Sequence, residues 1–86
     1  MKNLYIKPNL FTMRQHVYVV EDGLELDVFE TTLEDLPDAI FNLENVGTVT
    51  FSGGNNPFLR HIISNIKEKE LEKYNENKIT FEIEGE

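Results

Sequence analysis

No cysteine occurs among the 86 residues, so this chain supplies neither a disulfide framework nor a thiolate metal site. A reducing cytoplasm is the expected compartment. No apolar run approaches the roughly 20 residues that a bilayer span requires. The opening Met1-Lys2-Asn3-Leu4-Tyr5-Ile6-Lys7-Pro8 has no stretch of signal-peptide length either. No membrane partner is expected. Between Arg14 and Arg60 there is no Lys or Arg at all. A phosphate backbone is bound by a basic stripe, and the chain has none, so direct nucleic-acid binding is not expected. Repeats, linkers and low-complexity tracts are absent, and the length is that of a single domain spanning 1–86.

What the chain does have is acid. Its formal net charge is −8, and the interval without Lys or Arg holds Glu21, Asp22, Glu25, Asp27, Glu30, Glu34, Asp35, Asp38 and Glu44. Such a block keeps a surface solvated, or it docks a basic partner, including one that ordinarily holds nucleic acid. Six Phe and three Tyr supply the bulk of a modest core. Phe11, Met13, Tyr18, Phe29 and Phe41 are more than one small core takes. They either wrap the sheet or lie on a face that a second copy covers.

The periodicity alternates between strand and helix. Leu4-Tyr5-Ile6 is a short strand, and the nearby Pro8 predicts that it is truncated or lies at an edge. Residues 9–14 read as a turn. Val17, Tyr18, Val19 and Val20 form a run that is apolar on both faces, which suits a strand with two neighbours. Asp22-Gly23 is a hairpin turn. Leu24, Leu26 and Val28 then alternate with Glu25 and Asp27, predicting a strand with its leucines inward. Thr31, Thr32 and Asp35 are cap candidates for a helix that Pro37 starts and whose stripe is Leu36, Ala39, Ile40 and Leu43. Gly47 is its expected terminator. Thr48 to Phe51 is the next strand. Asn56 and Pro57 open a second helix, with Phe58, Leu59, Ile62, Ile63 and Ile66 on one face. Beyond Ile66 the alternating charges predict exposed turns, pinned by Leu71 and Tyr74. Ile79, Phe81 and Ile83 face inward from a final strand. The sum is an α/β chain on the α+β borderline, β-β-β-α-β-α-β, with a five-stranded mixed sheet and two helices. A ferredoxin-like arrangement is the alternative if Leu4 to Ile6 lies outside the sheet.

The junction Phe51-Ser52-Gly53-Gly54-Asn55-Asn56-Pro57-Phe58 runs from strand through glycine turn to capped helix. Gly53, Gly54, Asn55 and Asn56 are the candidate ligand-binding residues, because N–H groups at such a turn and the helix dipole favour an anion. The same residues also serve a purely architectural turn and cap. No Lys of the phosphate-loop type follows. His16 and His61 have no partners at metal-ligand spacing. No elbow motif surrounds Ser52 or Ser64. No catalytic residue, metal site or cofactor is therefore assigned.

The element order resembles the ribonuclease H-like fold, the module repeated in each half of actin-like ATPases. The strand–Ser52-Gly53-Gly54-Asn55-Asn56–helix turn is similar to the Gly-Gly turn of actin-like sugar kinases, which contacts the nucleotide's adenosine part. The family's nucleases place a metal-binding Asp on the first strand. Here the first strand reads Leu-Tyr-Ile-Lys and the second His-Val-Tyr-Val-Val, so the resemblance carries the fold and not the cleavage chemistry. The Asn, Lys, Glu and Ile richness is also similar to that of small phage or mobile-element proteins of low-GC bacteria. The expected function is that of a small acidic, non-enzymatic interaction protein acting on a protein partner or a second copy of itself. The alternatives are a nucleotide- or phosphate-binding module at Gly53–Asn56 and an acidic nucleic-acid mimic for a basic host protein.

Overall fold

A computed structural model gives the fold and describes residues 1–9, 11–54 and 56–84. The elements are β1 (Lys2–Asn9), β2 (Arg14–Glu21), β3 (Leu24–Thr32), α1 (Leu36–Phe41), β4 (Val46–Ser52), α2 (Pro57–Tyr74) and β5 (Thr80–Glu84). They form one five-stranded mixed sheet in the order β3-β2-β1-β4-β5. β1 and β3 each pair antiparallel with β2. β1, β4 and β5 run parallel. With β1 inside the sheet, the ferredoxin-like alternative falls away.

Both helices lie on the same face, and the topology explains why. The steps from β3 to β4 and from β4 to β5 cross the sheet in the same direction between parallel strands, and right-handed crossovers then put both helices on one side. The core is built accordingly. Leu4 and Ile6, Val17 and Val19, and Val49 and Phe51 point from β1, β2 and β4 into Leu36 and Ile40 of α1 and Leu59, Ile62 and Ile66 of α2. Each such side chain is worth about 1.5–3 kcal/mol of transfer free energy. Phe81 and Ile83 extend this face along β5 as half-buried neighbours.

β1 is longer and more central than Pro8 implied. Its pairing with β4 ends at Ile6 opposite Phe51, so Pro8 faces only Gln15 of β2 and its missing N–H interrupts no ladder on the other side. The Asn9 side chain then closes the turn, its Oδ1 accepting from the N–H groups of Phe11 and Thr12 at 3.1 and 3.3 Å. The Asp22-Gly23 hairpin has positive φ at both residues, 52° and 78°.

The inward assignment of Leu24, Leu26 and Val28 is corrected: they are 68%, 51% and 46% exposed. Phe29 sits opposite the buried Val17, which commits Val28 to the other side of the pleat. A bulge follows, with Val19 and Val20 opposite Asp27 and Glu25, so Leu26 is the extra residue of the outer strand. The carboxylate of Asp27 accepts the N–H of Val28 at 2.8 Å.

Two boundaries also move. Thr31 and Thr32 belong to β3, and α1 begins at Leu36 with Asp35 as its N-cap residue. Thr32 Oγ1 still accepts the Asp35 N–H at 3.2 Å, in the turn ahead of the helix. Gly47 does not end α1. It lies in β4, where a Cβ would stand 2.9 Å from Met1 Sδ, and the left-handed residue of that connection is Asn45. Phe58 leaves its expected inward face and is 38% exposed. Glu70, in the region read as exposed turns, is buried at 3%. Its Oε2 accepts the N–H groups of Lys78 and Ile79, both at 3.3 Å, and fixes the entry to β5.

Candidate functional site

The face of the sheet opposite the helices carries its own row of side chains. Tyr5 of β1 pairs with Tyr18 of β2, which pairs with Val28 of β3. On the other side Tyr5 meets Thr50 of β4, and Thr50 meets Glu82 of β5. These positions alternate with the buried Leu4, Ile6, Val17 and Val19, so the pleat forces them outward. Tyr5 remains 43% exposed. Around the two rings lies a shallow, mostly apolar depression of about 330 Å³, bordered by Lys7, Val20, Glu25, Ser52 and Glu84.

Charge of both signs surrounds it. The Lys7 ammonium stands 5.6 Å from the Tyr18 ring centroid, a cation–π contact. His16 Nε2 lies 3.1 Å from Glu30 Oε1, and Arg14 Nη1 lies 3.4 Å from Glu30 Oε2. All three side chains are substantially exposed, so the cluster orders the surface more than it stabilises the fold. The remaining acids of the interval lie at the β2–β3 turn, along β3 and around α1.

The glycine turn stands at the end of this face. Gly53 and Gly54 have φ of 153° and 70°. Gly54 donates its N–H to the carbonyl of Glu84 at 3.1 Å, tying the turn to β5. Asn56 is the N-cap of α2, its Oδ1 accepting the Phe58 N–H at 2.9 Å. Asn55 lies outside the described residues. Two polar groups of the candidate anion site are thus engaged within the fold. A Cβ on Gly53 would approach Leu59 Cδ1 to 2.9 Å, whereas one on Gly54 meets nothing within 4 Å. Gly54→Ala is therefore expected to cost about 1 kcal/mol from φ alone, and Gly53→Ala no less, read as shifts in urea midpoint.

Searches against known proteins found no match to a family model, a curated protein or a solved structure. The site therefore rests on geometry alone. The two histidines do not meet: His16 is on the uncovered face of β2, whereas His61 is on α2 beside Leu33 and Pro37. Among the described residues no three His, Asp or Glu side chains gather in a way that would hold a metal ion. Among the described residues no helix is long and apolar enough to cross a membrane.

Sequence reasoning missed the Tyr5–Tyr18 pair as a site. The signal was available, because each tyrosine sits between two residues of the buried set, and an aromatic at the alternate position of a strand belongs to the opposite face.

Proposed function

We propose that the protein is a small acidic interaction protein without catalytic activity, acting through protein contacts made by the uncovered sheet face. The observation that carries this reading is the adjacent Tyr5 and Tyr18 at the centre of a face that no helix covers. Parallel strands such as β1, β4 and β5 ordinarily have both faces covered. Tyrosine, large and amphipathic, is a residue type that anchors protein interfaces. A three-stranded meander continued by two parallel strand–helix–strand steps supports a ribonuclease H-like order, here put to contact. The composition supports a phage-type origin.

The first partner is a second copy of the chain. An aromatic centre flanked by Lys7 of β1 and by Glu82 and Glu84 of β5 complements itself across a two-fold axis. Sedimentation equilibrium at about 100 µM is expected to give a dimer, and Tyr5→Ser combined with Tyr18→Ser a monomer, with at least a roughly tenfold weaker association. A double variant that associates as well as the parent removes the tyrosine face from the proposal. Hydrolysis of nucleic acid or nucleotide by purified protein with Mg²⁺ or Mn²⁺ would overturn the non-enzymatic reading outright.

A further inference from the structure

The opposite end of the sheet, where the parallel strands begin, holds a second and unrelated cavity of about 400 Å³. Its walls are Ile40, Leu43, Val46 and Ile79 together with the rings of Phe41 and Tyr74. The two rings pack edge to face, with centroids 5.8 Å apart. The lining also carries Asn45, Glu76 and Lys78, and its remaining acid, Glu70, is unusual. It is 97% buried, yet only one of its carboxylate oxygens is used: Oε2 takes two backbone N–H groups, and Oε1 has no hydrogen-bond partner among the described residues.

An unmatched carboxylate oxygen in such surroundings is costly, because it has left water without a replacement hydrogen bond among the described residues. The chain's own nearby cations are engaged by other groups. Lys78 Nζ is 3.1 Å from Glu76. Lys2 Nζ donates to the carbonyl of Glu44 at 2.7 Å. Lys73 Nζ stands 5.7 and 5.5 Å from the Phe41 and Tyr74 ring centroids, which marks these rings as a surface that accepts an ammonium. The cavity is thus largely apolar along its walls and aromatic at its side, with the Lys78–Glu76 pair in its lining and, among the described residues, one unpartnered carboxylate oxygen at a buried point.

We propose that this cavity binds a small aliphatic amine: a primary ammonium on a short apolar stem, the stem against Ile40, Leu43 and Val46 and the ammonium directed to Glu70 Oε1. The volume lies in the range of small-molecule sites, and a stem of four to six carbons, about as many as a lysine side chain carries, fits within it. An alcohol of equal length gains the same apolar contact without the charge-assisted hydrogen bond, and a carboxylate is repelled. The site is separate from the tyrosine face, so neither reading depends on the other.

The test is an amide chemical-shift titration of the full chain with n-hexylammonium, and with n-hexanol and hexanoate as matched probes. Saturable shifts centred on Ile40, Phe41, Val46 and Ile79 are expected, with hexylammonium at least tenfold tighter than hexanol and hexanoate not binding. Glu70→Gln keeps an amide oxygen for the Lys78 and Ile79 N–H groups and loses the charge. It is expected to bring hexylammonium down to the affinity of hexanol. If that variant does not fold, Tyr74→Leu at the exposed end of α2 serves instead and should weaken hexylammonium more than hexanol. Hexanol binding as tightly as hexylammonium, an absence of saturable shifts at these amides, or a folded Glu70→Gln that binds hexylammonium unchanged would each overturn the proposal.

Discussion

Phe51→Ala is expected to remove a large share of the stability of this protein. Phe51 is fully buried on β4, between Ile6 of β1 and Ile83 of β5, and belongs to the core under both helices. Truncating a buried Phe costs about 3–5 kcal/mol, because the lost transfer free energy is joined by the cavity left behind. A domain of this size has only about 4–13 kcal/mol in total, at 0.05–0.15 kcal/mol per residue. Urea unfolding followed by circular dichroism measures the loss directly. Phe11 provides the contrast. It is wholly exposed on the β1–β2 turn, and Phe11→Ala should stay within about 0.5 kcal/mol of the parent. A Phe51→Ala variant within about 1 kcal/mol of the parent would mean that the helices do not pack on β4 as described.

The second large effect has the opposite sign. Gln15→Met is expected to stabilise the fold by about 1–3 kcal/mol. Gln15 is fully buried on β2, between Pro8 of β1 and Thr31 of β3, and neither its Oε1 nor its Nε2 has a hydrogen-bond partner among the described residues. Its amide left water without finding a replacement among the described residues. Methionine keeps the unbranched shape and removes the polar atoms. Each kcal/mol gained corresponds to a rise in Tm of about 4–8 °C for a domain of this length. Gln15→Glu should move Tm the other way, since it places an unpaired carboxylate in the same position. A fall in Tm with Met would show that the amide is satisfied in solution.

How far the fold was legible follows from which signals are local. The Asp22-Gly23 turn, the Asn56 cap with Pro57 behind it, and the stripe Leu59, Ile62 and Ile66 are set by neighbouring residues, and they stand where the sequence places them. The parallel setting of β4 and β5 follows from the helix between them. Leu24, Leu26 and Val28 read as one alternating set, but the bulge at Leu26 breaks it, leaving Leu24 opposite Glu21 on the side of Val17 and Val19, and the face that Val28 occupies depends on register against β2. A single pairing, Phe29 with Val17, decides it, and no pattern inside β3 carries that information. Pro8 misled for a similar reason. Whether its missing N–H matters depends on where β4 stops. At the candidate sites, Gly53, Gly54 and Asn56 form the turn and the cap that the sequence indicates, because turn chemistry is local. Glu70 was not legible, since an acid in a run of alternating charges reads as solvated. Its spacing held the only clue, four residues after Ile66 on the buried stripe.

The outermost strand has one more consequence. Leu24, Leu26 and Val28 on a sheet border, exposed and apolar, would invite copies of the chain to add to one another indefinitely. The bulge at Leu26 breaks the straight row that an incoming strand would follow, and the Asp27 carboxylate occupies the Val28 N–H that such a strand would otherwise use. The border is thereby closed to open-ended growth, and the two-fold pair proposed above would use only the flat of the sheet.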